Sequence, residues 1–245
     1  MKLNKLMQLL KDNARAEGPV AIRMDATATD AHIYINDVID SYWGASAAGL
    51  ITALAGQQDK TVHMHINSPG GDVFEARAMA AAVVAHPGQI IAHIDGICAS
   101  AATYLALACN EVRMTDGGLF MVHNSWTMAY GNKAELRTTA DLLDKIDGTI
   151  VDDYARKTGA SNEQVVAWMD ATSWFTAQEA LAAKFIDAID ANTKQGSAGT
   201  QARWNLSAYP NAPKTPEAPP EPDLTALAAQ QTQLNRNRLR LITPI

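Results

Sequence analysis

The sequence predicts an α/β domain with a mostly parallel sheet. Three observations carry that prediction. Apolar strands alternate with helices between Thr61 and His123, small residues sit at the strand-to-helix junctions, and a long amphipathic helix follows from Asn132. Short alternating runs at Ala21–Asp25 and His32–Ile35 read as strands around a polar turn, and Ala45–Leu54 as a small-residue helix. Thr61–Asn67 is a predicted strand and Asp72–Ala85 a predicted helix, with Val73, Ala76, Met79, Ala80 and Val83 on one face. Gln89–Ile97 is the next strand, Ala101–Cys109 a helix, and Glu111–Met114 and Leu119–His123 further strands. The helix predicted over Asn132–Thr158 is broken at Gly159, and the pairs Ser161/Gln164 and Thr176/Glu179 each fit a capping box, so helices should start there.

Both ends read differently. Residues 1–20 place Leu3, Leu6, Met7 and Leu10 on one face of an amphipathic helix, interrupted by Asn4, Lys5, Gln8 and Lys11 in a way unlike a signal peptide. Residues 192–223 are rich in Pro, Ala, Ser and Thr, a composition that predicts a flexible C-terminal tail or linker. Basic residues and helical spacing return over 224–245, a possible C-terminal helix. The organisation predicted is therefore a helix over 1–20, one domain over 21–191, a linker over 192–223 and a terminal helix.

Composition narrows the function classes. The chain has 245 residues, 47% of them hydrophobic, enough for one sizeable core. A net charge of -6 without a basic run argues against nucleic acid or an anionic membrane as partner. No run of about 18 apolar residues exists, so no membrane span is expected. Cys98 and Cys109 lie among apolar and small residues, where free buried thiols fit a reducing compartment better than a disulfide. Phosphate-loop and dinucleotide patterns are missing, and His63 and His65 have no third ligand at a metal-site spacing, so neither cofactor nor metal is expected.

Three segments can carry chemistry. Ile66-Asn67-Ser68-Pro69-Gly70-Gly71-Asp72 ends a strand and opens a helix; it is either a plain turn or one whose bare amides face a ligand oxygen. Gly96-Ile97-Cys98-Ala99-Ser100-Ala101-Ala102 puts a serine at a strand-to-helix junction, as an N-cap or as a nucleophile near helix amides. Leu119-Phe120-Met121-Val122-His123-Asn124 ends an apolar strand in a histidine, the side chain that can activate a serine near neutral pH.

In order and flanks these segments resemble the ClpP-like serine peptidase family. INSPGG at 66–71 is similar to its oxyanion segment, CASAAT at 98–103 to its nucleophile turn, MVHNSW at 121–126 to its histidine strand, and WFTAQEALAAKFID at 174–187 to its closing signature. INSPGGDVFEA and WFTAQEA further resemble head-maturation proteases of tailed phages and prophages. The resemblance implies the ClpP/crotonase-like spiral of β-α-β units, Ser100 as nucleophile, His123 as base, and the Gly71 and Ala101 amides as oxyanion hole. It also implies a substrate strand beside Gly70, Asp72 and Val73. Where the family has its triad carboxylate this chain has Thr172, with Asp170 the nearest acid. Further implications are an ATP-independent protease cleaving scaffold or capsid proteins, a homo-oligomeric ring (heptamer or tetradecamer), and a place in the host cytoplasm or prohead. Two other readings share the fold: a crotonase-type enzyme of coenzyme A esters, and an assembly component with weakened catalysis. A serine-lysine peptidase would need Lys133, Lys145 or Lys157 as base.

Overall fold

The structure, a computed structural model, describes Asn13, residues 22–191 and residues 204–213. The helices expected over 1–20 and 224–245 fall outside the described residues apart from Asn13. Strands β1 (Arg23–Ala26) and β2 (Asp30–Ile35) form the antiparallel edge of an eight-stranded sheet. From β2 the sheet runs parallel through β3 (Thr61–Ser68), β4 (Ile90–Ala99), β5 (Glu111–Thr115) and β8 (Ala188–Asp190). Strand β6 (Leu119–Val122) joins β4 in parallel and β7 (Ser173–Thr176) in antiparallel. The α/β spiral expected from the sequence is therefore present.

Strand β4 forks. Ile91–Ile94 pair with β5, while Ile97, Cys98 and Ala99 pair with Leu119, Phe120 and Met121 of β6. Parallel pairing brings the carboxyl ends of both strands to one side of the sheet, where ligands of open α/β folds bind.

Helices α1 (Ala47–Leu54), α2 (Val73–Val84), α3 (Ala102–Leu107), α4 (Lys133–Thr158), α5 (Asn162–Asp170) and α6 (Ala177–Ala182) connect the strands. Their starts follow capping chemistry. Ser46, Asp72, Asn132, Ser161 and Thr176 each accept a backbone N–H with the side chain. Thr176 and Glu179 form the expected reciprocal box, whereas Ser161 makes only its own half, accepting from Gln164 N. Helix α4 ends at Gly159, whose φ of 72° places it in the left-handed region. Most helices cover one face of the sheet and enclose the main core, which includes Ile33, Met64, Ile94, Leu105, Phe120, Tyr154 and Phe185.

Residues 204–213 depart from the linker expected over 192–223. Trp204, Leu206, Ala208 and Tyr209 are buried in a second cluster with Val38, Ile97, Ala99 and Met121. The compact unit thus extends to Pro213. Composition averages over a window, so four apolar residues within a Pro- and Ala-rich stretch were outweighed by their neighbours.

A second unexpected feature lies on β2–β4. His63 pairs in register with His32, and His65 with His93, so four imidazoles stack with centroids 4.9–5.4 Å apart. Acids hold the ladder: His65 Nδ1 is 3.0 Å from Asp95 and His93 Nδ1 is 3.3 Å from Asp190. His63 and His65, which lack a third metal ligand in the sequence pattern, each pack between His32 and His93.

Candidate active site

Ser100 follows the last residue of β4 and stands in a left-handed turn, with φ of 55°. That conformation is uncommon for a residue with a Cβ, and three hydrogen bonds hold it. Ser100 N donates to Met121 O at 2.9 Å, and Thr103 donates to Ser100 O from its amide at 3.0 Å and its hydroxyl at 2.7 Å. The N-cap alternative fails, because α3 begins after Ala101 without any side-chain cap. Ser100 Oγ instead lies 2.7 Å from His123 Nε2.

Strand register explains the meeting. Ala99 pairs with Met121, so Ser100 and His123 leave neighbouring parallel strands within two residues of one another. Burial pushes the His123 pKa down to about 4, so the ring is neutral near pH 7 and Nε2 can accept a proton. Lys157 is ion-paired with Asp187 at 2.8 Å, and Lys133 and Lys145 are exposed on α4. The hydrogen-bonded partner of Ser100 is a histidine, which removes the serine-lysine arrangement.

The INSPGG segment packs directly on this pair. Gly70 has φ of 92°, and a Cβ there would fall 2.6 Å from Ala99 O and 2.8 Å from the Ser100 Cβ, so glycine is required. Ile39 N donates to Gly70 O at 2.9 Å and Asp72 N donates to Ile39 O at 2.8 Å, a one-residue parallel bridge opposite Gly71. Alternation along that bridge turns the Gly71 N–H and C=O away from Ile39. Two of the residues expected beside a substrate strand also bond within the chain. Gly70 spends its amide on Ser68 Oγ and its carbonyl on Ile39, while Asp72 caps α2 by accepting Glu75 N at 2.8 Å. Of the residues expected there, Gly71 and Val73 lie in the lining of the cleft beside Ser100.

Gly71, Val73 and Ser100 line a cleft of about 240 Å³ together with Phe74, Trp126, Leu142, Leu143 and Ile146. Its lining is mainly apolar. The opposite flank of His123 opens on a second cavity lined by Asp170, Thr172, Ala208, Tyr209 and Pro210. Asp170 ends α5 and accepts Asn124 Nδ2 at 2.7 Å. Thr172 is 8% exposed, with φ of 50°. Among the described residues, no hydrogen bond joins either side chain to the imidazole, so the expected Thr172 contact is not made in this conformation. Sequence reasoning missed Tyr209, whose ring meets His123 edge-on at 5.2 Å.

Burial raises the Cys98 pKa well above the usual thiol range and takes that of Cys109 to about 12; both are free thiols outside the site. Among the described residues no group of three or more His, Cys, Asp or Glu is placed to hold a metal.

The chain is similar to known proteins over the segment that carries this site. The family description "Clp protease" matches residues 18–193. The chain is 28% identical over 156 residues to the ATP-dependent Clp protease proteolytic subunit 1 of Leifsonia xyli, covering 63% of this chain and 79% of that protein. It is 28% identical to subunit 2 of Mycolicibacterium paratuberculosis over 63% and 78% of the two chains. The proteolytic subunit of Streptococcus pneumoniae is 27% identical over 63% and 81%. With the match spanning strands, helices, Ser100 and His123 alike, the chain belongs to the Clp protease family.

Proposed function

We propose that this chain is a serine endopeptidase that uses Ser100 and His123 and works without nucleotide on scaffold or capsid proteins during phage head maturation. The observation that carries the chemistry is the 2.7 Å hydrogen bond between Ser100 Oγ and His123 Nε2, made from a strained turn. Ser100 Oγ attacks the peptide carbonyl and its proton passes to Nε2; the imidazolium then protonates the leaving amine, and water repeats the sequence on the acyl-enzyme. The Gly71 and Ala101 amides take the oxyanion, each donor being worth roughly 2.7–4 kcal/mol in a comparable hydrolase. A substrate strand pairs with Gly71 and Val73 and sends an apolar side chain toward Leu142, Leu143 and Ile146.

Clp proteases act on protein substrates and form rings, and a heptamer or tetradecamer is the assembly proposed here. INSPGGDVFEA and WFTAQEA, with their likeness to head-maturation proteases, support the phage role and the independence from ATP. No helix among the described residues is long and apolar enough to cross a membrane, which fits action in the host cytoplasm or prohead. Thr172 in place of a carboxylate favours a second reading, an assembly component whose catalysis is slow.

Hydrolysis of an unstructured protein by the purified chain, with and without ATP, tests the proposal. ATP-independent cleavage that disappears in Ser100→Ala is expected. Cleavage that survives in Ser100→Ala would end the serine-peptidase reading, and no cleavage by the assembled wild type would favour the assembly role.

A further inference from the structure

Tyr209 lies against both halves of the catalytic machinery. Its ring contacts His123 edge-on, with planes at 72°, and its hydroxyl donates to Pro69 O at 2.6 Å. Pro69 precedes the Gly70-Gly71 turn, so one buried side chain spans from the general base to the oxyanion segment. The segment that carries it is fastened on both sides of the dyad. Trp204 Nε1 donates to Asn67 Oδ1 at 3.2 Å, and Trp174 Nε1 donates to Pro210 O at 3.2 Å. Asn211 Nδ2 adds a bond to Ala171 O at 3.0 Å, next to Thr172.

Its position separates support from obstruction. Tyr209 lines the cavity on the Thr172 flank of His123, while Gly71, Val73 and Ser100 line the substrate cleft without it; Ser125 and Trp126 border both. It therefore stands behind the dyad and outside the path of a substrate strand. Burial raises the phenol pKa well above its usual value, against a smaller opposing effect of the Ser100 hydroxyl beside it, so the group keeps its proton and remains a donor.

We propose that Tyr209 is a positioning residue for hydrolysis at Ser100: its ring holds the His123 imidazole in line with Ser100 Oγ, and its hydroxyl holds the Gly70-Gly71 turn through Pro69 O. In a triad the carboxylate bonded to Nδ1 fixes the ring plane. Here the aromatic edge does that part, although it cannot stabilise the imidazolium as a charge would. This assignment rests on the peptidase reading of the same site.

The test uses the full chain and a fluorogenic peptide, with kcat and KM measured separately and normalised to titrated active sites. Tyr209→Phe keeps the ring and removes the hydroxyl; Tyr209→Leu keeps apolar bulk and removes the aromatic edge. The expected result is a kcat about threefold lower in Tyr209→Phe and about tenfold or more lower in Tyr209→Leu, with KM within about twofold of wild type in both. Unchanged kcat in both variants overturns the assignment, and full kcat in Tyr209→Phe alone overturns the hydroxyl's part. A rise in kcat would make the segment an inhibitory strap, and a rise in KM alone would make Tyr209 a substrate contact; either overturns it too. A wild-type protein without serine-dependent hydrolysis overturns the peptidase reading and this assignment with it, whereas active wild type with unaffected variants overturns this assignment alone.

Discussion

The two flanks of His123 are alike in backbone and unlike in chemistry. Each carries a residue other than glycine in the left-handed region, Ser100 with φ of 55° and Thr172 with φ of 50°. Such conformations cost on the order of 1–3 kcal/mol, and for a β-branched threonine the position is a true outlier. On the Ser100 flank the strain delivers a hydroxyl to Nε2 at 2.7 Å. On the Thr172 flank it delivers a buried side chain to a cavity beside the ring, and the hydrogen bond is absent among the described residues. The fold thus keeps a strained turn where the family resemblance places a triad acid, while the sequence supplies a neutral residue there. In the proposed mechanism one flank performs the chemistry and the other positions the base.

The largest expected effect breaks the complete flank. Ser100→Ala should lower kcat/KM by at least about 10⁴-fold, His123→Ala should lose about as much, and the double variant should lose no more than either, because the two act as one unit. Additive losses would mean that another group serves as base.

Filling the incomplete flank should sharpen the contrast from the other direction. Thr172→Asp should raise kcat by about tenfold or more, and Asp170→Asn, whose carboxylate already holds Asn124, should change it less than about twofold. A hundredfold fall in Asp170→Asn at unchanged Tm would instead make Asp170 the triad acid.

The pH dependence belongs to the same comparison. With its pKa pushed down to about 4 by burial, His123 is neutral well below the ordinary histidine range, so the acid limb of kcat/KM should fall below pH ~6. A depressed pKa in the folded state also means that its stability contribution is complete above pH ~6.5 and is lost as pH falls toward 4. Thr172→Asp should move the acid limb upward, since a carboxylate favours the imidazolium.

The smallest expected effect on turnover, though a clear one on stability, concerns the segment that covers the incomplete flank. Trp204 is 2% exposed against Ile97, Ala99 and Met121, so Trp204→Ala should lower stability by about 3 kcal/mol in urea unfolding. No change would mean that residues 204–213 are dispensable, as their composition had suggested.

Legibility followed the range of the interactions. Ser100 and His123 were readable through the family resemblance of their segments, since each alone also fitted a structural role, and the parallel register of two strands joins them. The Asp72 and Thr176 helix starts were readable for the same reason. The histidine ladder was half visible: His63 and His65 alternate on one strand, but their pairing with His32 and His93 depends on the register of three strands. Tyr209 was hidden by more than 80 residues of chain between it and His123. The available signal was the alternation of Trp204, Leu206 and Ala208, an extended apolar face in a stretch otherwise poor in such residues.

Hydrolysis at this site requires Ser100 to be an activated nucleophile, and a fluorophosphonate reports that directly. Mass spectrometry of the labelled protein should find one adduct, on Ser100, formed in wild type and slowed by about 10³-fold or more in His123→Ala at unchanged Tm. Labelling of a different residue, or equal rates in wild type and His123→Ala, would contradict the claim that these two side chains form the catalytic pair.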